Sequence, residues 1–434
     1  MIATRTIPSV VRRPVVRAAL LLGVSVLAAS TVDAQNQPGV SLGIKHTGTQ
    51  KFAIVVLPIA GVGGDSIATM IARDLDYSDR FTIIPQSGPV AATINYPIYS
   101  RLGTSGVVQG TLLPGGNLRV VFHDVANKLV RNTRDFALVQ PVTSPGGRMS
   151  VHAVSDIIEE WVTGEKGIAS TQIAFVRSDR VWTVDSDGAN LTARTSQGIH
   201  PSWAPNGRSL VYSVIGADRQ SIFVTDLLTG AQRNISGPPA GTQDFSPVVA
   251  PDGRTVMFAR MTGAGTDLFS MPITGGSLTR VTVGRGTGNI SASFSPDGDR
   301  IVFTSDRTGN PEVYIADADG TNPEALTSPT YGEKSHRAEA KWSPNGQTVA
   351  YMSRMSDVNQ VMTISLRSMT PKQITTDGRN EQPSWAPDSR HLVVTSNRSG
   401  SRQLWVVDTE TGRTRQLTRG AEARFGAWSP RLSP

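Results

Sequence analysis

The chain has 434 residues, 38% of them hydrophobic and 6% aromatic, with 42 Gly, 27 Pro and no Cys. That length leaves room for two or three domains with an ample core, and the lack of Cys excludes a disulfide scaffold, thiolate metal sites and a cysteine nucleophile. The net charge of +7 falls to +4 beyond residue 34, because residues 1–34 carry four Arg and one Asp, and without any Lys/Arg run a nucleic-acid partner is excluded.

Arg12, Arg13 and Arg17 precede an apolar run from Ala18 to Ala29 and a small-residue site, Val32-Asp33-Ala34. The run is too short to span a bilayer, so residues 1–34 read as a secretory signal cleaved between Ala34 and Gln35, with an uncleaved anchor as the alternative. Export by the general route is expected, since the residues flanking Arg12-Arg13 do not support a twin-arginine signal. The mature protein is then soluble and outside the cytoplasm. Residues 35–50 are Gly-, Gln- and Thr-rich, with Val40, Leu42 and Ile44 alternating along a short piece. Composition alone favours a disordered tail over an arm that adds a strand to a sheet edge.

Residues 51–164 are expected to form a small α/β domain. Lys51 to Leu57 is a buried-strand run ended by Pro58, and Asp65 is the expected N-cap of a helix with Ile67, Met70, Ile71 and Leu75 on one face. Phe81 to Ile84 supplies the next strand of a βαβ unit. Gly106 to Leu113 and Leu118 to Phe122 flank Pro114-Gly115-Gly116-Asn117 as a hairpin, Arg134 to Val139 adds a strand, and Val151, Val154, Ile158 and Trp161 stripe a closing helix. Gly61-x-Gly63-Gly64 matches neither G-x-G-x-x-G nor a P-loop and reads as a plain turn.

Residues 165–434 repeat. An aromatic or Val, then Ser/Ala-Pro-Asp/Asn-Gly, recurs from Trp203, Val249, Phe294 and Trp342, less perfectly from Trp385 and Trp428, with prolines 46, 45, 48, 43 and 43 residues apart. Each unit reads as strand, turn, strand, loop, strand, turn, strand, and Asp-Gly predicts type I′ hairpin turns. Four-stranded units at this period predict a β-propeller. The Trp428 anchor lacks following strands, whereas Gln172 to Phe175 and Val181 to Asp185 lack an anchor. The C-terminal strand is therefore expected to complete the first blade, giving a six-bladed ring closed by the C-terminal strand.

With this strand order the Asp-Gly turns share one face and the connections between blades the other, beside the channel. There the sequence places His200, Gln243, Asp244, Asn289, His336, Glu339, Asn380, Glu381, Glu422 and Arg424, with His391 on the opposite face. An enzyme would use His200 and His336 with Glu339 or Glu381, and a cation would use Asp244, Glu339, Glu381 and Glu422. The two His stand three and six residues before their anchors, so no regular constellation emerges. Polar residues around a wet channel mouth are the simpler reading, and no catalytic residue, metal or cofactor is expected. No G-x-S-x-G elbow is present.

His152 to Gly164, Gly167 to Val176 and Phe425 to Pro430, with the Phe52–Pro58 strand and the helix at Asp65, resemble the TolB family of periplasmic propeller proteins of the Tol–Pal system. The resemblance covers essentially the mature chain. It implies a non-enzymatic, monomeric periplasmic adaptor for outer-membrane integrity and envelope invagination during cell division. Its propeller mouth would bind the lipoprotein Pal through His200, Gln243, Asp244, Asn289, Ile290, Glu339 and Glu381, Gln243 standing where the family commonly has histidine. Residues 35–50 become an arm presenting Val40, Leu42 and Ile44 to the inner-membrane protein TolA. The rival readings are a propeller enzyme, such as a metal-assisted saccharide lyase or hydrolase, and a small-ligand-binding propeller.

Overall fold

The structure, a computed structural model, describes residues 51–86, 93–283, 288–329 and 335–433. The expected signal segment and the arm with Val40, Leu42 and Ile44 lie outside the described residues. None of the described helices is long and apolar enough to cross a membrane.

The first part runs β1 (Phe52–Val56), α1 (Gly64–Tyr77), β2 (Phe81–Ile83), α2 (Tyr96–Arg101), β3 (Gly106–Leu112), β4 (Leu118–Asp124), β5 (Leu129–Phe136) and α3 (Pro145–Thr163). Its sheet has the order β2-β1-β3-β4-β5, with β1 parallel to both its neighbours and the rest antiparallel. Helices α1 and α3 cover one face, where Ile67, Ile71 and Leu75 meet Val151, Val154 and Ile158 over Ile54, Val108 and Val120. Ser144 Oγ caps α3 by accepting the Gly147 N–H at 3.0 Å, and Gly164 ends it with φ 79°. Three sequence expectations need correction. The N-cap of α1 is Gly63, with Asp65 inside the first turn. Strand β5 starts five residues before the expected Arg134 and ends at Phe136; both of its faces are largely exposed, so periodicity marks it poorly. Helix α2 was not anticipated, because six residues with one buried side chain, Tyr99, show no period.

The rest is a β-propeller. Four-stranded sheets are built on Asn289–Phe294, Arg337–Trp342 and Asn380–Trp385, each followed by three further strands. A fourth pairs the closing strand Arg424–Trp428 with Gln172–Arg177, so the C-terminal strand does close the ring. Ser429 Oγ accepts the Gln172 N–H at 2.9 Å and Trp428 Nε1 donates to Thr171 Oγ1 at 2.8 Å, fastening the clasp. The two meanders starting at Ile199 and Gln243 form one eight-stranded sheet instead of separate ones. They are joined by a single parallel pairing, Gln220 opposite Gln243. The anchor turns also differ from the expected type I′. Gly207, Gly253, Gly298 and Gly346 each donate N–H to the residue three before, at 2.9–3.0 Å, and only the glycine has positive φ. Pro, with φ fixed near −65°, suits the second position of a type I turn, and the Asn or Asp side chain then accepts the N–H two residues on, as Asn206 does from Arg208 at 2.8 Å.

The α/β part rests on the Asp-Gly-turn face through a network of charges in which the side chains of Asp79, Asp388 and His391 are buried. His391 Nδ1 lies 2.6 Å from Asp388 and its Nε2 3.3 Å from Asp79, while Arg413 reaches Asp79 at 2.7 Å and Asp76 at 3.0 Å. Arg415 stacks 4.0 Å over Tyr77. Nearby, Asp187 forms an ion pair with Arg73 and accepts from Arg148, and His152 holds Asp74 at 2.7 Å. His391 thus faces away from the channel mouth, as its place in the repeat implies.

Candidate functional site

The innermost strand of every meander breaks register against its partner. At each break stands a non-glycine residue with positive φ: His200, Ser246, Ser291, Glu339, Gln382 and Phe425, all between 50° and 59°. An extra residue in one strand of a pair bends it and re-aims a side chain. Here the bend directs six side chains inward. Each lies three residues before its anchor. The residues one before the anchor, Ser202, Val248, Ser293, Lys341, Ser384 and Ala427, also line the wall, so the channel consists of two rings around a cavity of about 560 Å³.

The rings are stitched from sheet to sheet. Glu339 Oε2 accepts the Gln382 N–H at 2.7 Å, and Gln382 Oε1 accepts the Phe425 N–H at 2.9 Å. Ser293 and Ser384 hydroxyls accept the backbone N–H of Trp342 and Trp428 at 3.1 and 3.0 Å. Trp385 Nε1 donates to the Lys341 carbonyl and Trp203 Nε1 to the Ala427 carbonyl, both at 3.0 Å. The anchor tryptophans are buried between neighbouring sheets. His200 packs edge-on against Phe425 at 4.4 Å, and burial, then Lys341 and Arg424, lowers its pKa to about 4, so it is neutral. Burial lifts Glu339 to about 7, against the opposing pull of the Gln382 N–H and Lys341. Burial likewise lowers His336 and Lys341.

The residues expected at the mouth separate into three groups. His200, Ile290 and Glu339, with His336, line the channel. Gln243 is exposed, while Asp244 is fully buried and held by Arg260 at 2.6 and 2.8 Å. Asn289 is buried as well, its Oδ1 accepting from Ser305 at 2.8 Å and its Nδ2 donating to Asp267 at 3.1 Å. Glu381 accepts from Asn359 at 2.7 Å and lines a separate cavity of about 310 Å³ with Arg379, Asn397, Arg402 and Glu422. Among the described residues the two clusters of His and acids compact enough for a metal, Asp74/His152/Asp187 and Asp79/His391/Asp408, lie where the α/β part meets the propeller. Both His carry raised pKa values, since the surrounding carboxylates outweigh burial, so each is shifted toward the cation inside a network of acids. The bulge ring and Lys341 escaped sequence reasoning. Aligning the repeats on the anchor and reading the columns three and one before it would have revealed both.

A family model described as "TolB beta propeller domain" matches residues 159–432, and one described as "TolB amino-terminal domain" matches residues 40–128. The Tol-Pal system protein TolB of Bordetella pertussis is 27% identical over 435 residues, covering 95% of each chain. That of Methylococcus capsulatus is 28% identical over 232 residues, 49% of this chain and 53% of the other. The crystal structure of TolB from Acinetobacter baumannii superposes with a TM-score of 0.78 at 23% identity, over 88% of this chain and 97% of the other, which establishes the shared fold.

Proposed function

The chain belongs to the TolB family, and from that premise we propose that it is a non-enzymatic adaptor of a Tol–Pal system, working in the periplasm. The observation that carries this reading is the extent of the match: relatives named Tol-Pal system protein TolB align over 95% of both chains. In this reading residues 1–34 are removed as a signal, residues 35–50 form the arm that engages TolA, residues 51–164 are the α/β domain and residues 165–434 the propeller. We count the eight-stranded sheet as two blades bridged at Gln220 and Gln243, which makes the ring six-bladed.

Pal docks on the face where the channel opens between the blade connections. His200, Ile290 and Glu339 meet it at the channel and Gln243 at the rim. Asp244 and Asn289 hold the strands that present those groups, and Glu381 stands in the adjoining cavity. Coupling envelope layers in this way serves outer-membrane integrity and division. Calorimetric titration of the protein from Gln35 with the soluble domain of Pal from the same organism tests the reading. One-to-one saturable binding, weakened by Gln243→Ala, is expected; absence of binding at high micromolar concentration refutes it. Asp244→Ala is unsuitable as the probe, because it strands the half-buried Arg260. The channel cavity itself favours a second reading, a small-ligand-binding propeller, which predicts thermal stabilisation by a small molecule without any lipoprotein.

A further inference from the structure

The ring of residues one before the anchor is small on five sides and charged on one. Ser202, Val248, Ser293, Ser384 and Ala427 leave the centre open, and Lys341 projects into the same cavity. Its ammonium has no hydrogen-bond or ion-pair partner among the described residues. The carboxylate whose charge acts on it, Glu339 on the same strand, gives one oxygen to the Gln382 N–H and forms no ion pair with Lys341. Burial lowers the pKa of both channel histidines, His200 and His336, and Arg424 outside the channel lining reaches Asp179 at 2.9 Å.

Lys341 is half-buried against the apolar and aromatic wall, and no group of that wall pairs with its charge. Apolar and aromatic lining with one convergent charge is the composition of a recognition site. We propose that Lys341 is the point in the channel that recognises a carboxylate side chain, carried on a loop of the protein partner that enters between the six bulge residues. The proposal rests on the adaptor reading above. Its chemistry is a charge-assisted hydrogen bond, flanked by aromatic walls that receive the rest of the loop. The five small neighbours set the depth at which the acid must arrive. A basic loop tip would meet an uncompensated like charge there and be rejected.

The test is calorimetric titration of the soluble Pal domain into wild-type protein, K341M, K341E and K341R, with the melting temperature of each variant measured in parallel. Expected are a loss of roughly tenfold to a hundredfold for K341M, the range of one charge-assisted hydrogen bond, a larger loss for K341E, and near-wild-type affinity for K341R. K341M is expected to melt no lower than wild type, since it removes an unpaired charge; a purely structural lysine would instead lower the melting point. Wild type and K341M binding within threefold of each other overturns the lysine's role while the adaptor reading stands. Failure of wild type to bind overturns both. Acetate that raises the melting point of wild type but not of K341M, at matched ionic strength and with partner affinity unchanged by the substitution, assigns the channel to a small free acid and overturns the protein loop as occupant.

Discussion

His391 is the residue on which the docking of the two parts turns. It is fully buried, and burial opposes its charge, yet Asp388, Asp79 and Asp408 hold its pKa at about 9. A folded-state value above the ordinary 6.5 means that its contribution is complete below pH 6.5 and is lost as pH rises through 9. Glu159, which burial pushes to about 8 although Arg80 stands 3.0 Å away, acts with the same sign, since its neutral form is the one the fold favours. Unfolding in urea is therefore expected to show stability falling by on the order of 1–3 kcal/mol between pH 6.5 and 9.5. His391→Gln should flatten most of that slope while lowering stability at pH 6.5; an unchanged slope would refute the assignment. None of this was legible beforehand. Asp79 and His391 are 312 positions apart, and no local pattern announces a pair that only the folded chain brings together.

At the level of the strand, the bulge is the repeating unit that shapes the channel. Six side chains are held at positive φ without a glycine among them, each in a conformation that costs an L residue about 1–2 kcal/mol. The hydrogen bonds through Glu339 and Gln382 to the next sheet help to hold them there. Ser291 makes no such side-chain bond among the described residues, so Ser291→Gly is expected to stabilise the protein by about 0.5–1 kcal/mol and Ser291→Val to destabilise it by about 1–2 kcal/mol, in urea titration. Equal stability of the two variants would remove the strain argument. The anchors were readable because Pro and Gly have few conformational alternatives, and their spacing exposed the propeller. The bulges were not, because the residues that occupy them, from Phe to Glu, share no composition. Their signal is positional. For the same reason His200 and Glu339 were picked out for their chemistry and Lys341, two residues from Glu339, was passed over.

For the molecule as a whole, closure is the organising event, and it was legible because one repeat lacked an anchor and another lacked everything else. Trp428 fills the seam beside Ile173 and Phe175. Trp428→Ala is expected to cost about 3–5 kcal/mol, measured by chemical denaturation, and a cost below 1 kcal/mol would mean that the seam carries little of the ring's stability. Trp428 and Ile173 face one another across some 250 residues of intervening chain, the longest strand pairing among the described residues. Such a contact cannot begin until five meanders stand in approximately their final places, and its loop-closure entropy must be met before it returns anything. Time therefore enters the architecture. During folding the strand Gln172–Arg177 waits as an unsatisfied edge, and any foreign extended segment that reaches it first captures the protein in an open form. The period of greatest vulnerability to aggregation is the interval between assembly of the last complete sheet and arrival of a single five-residue strand.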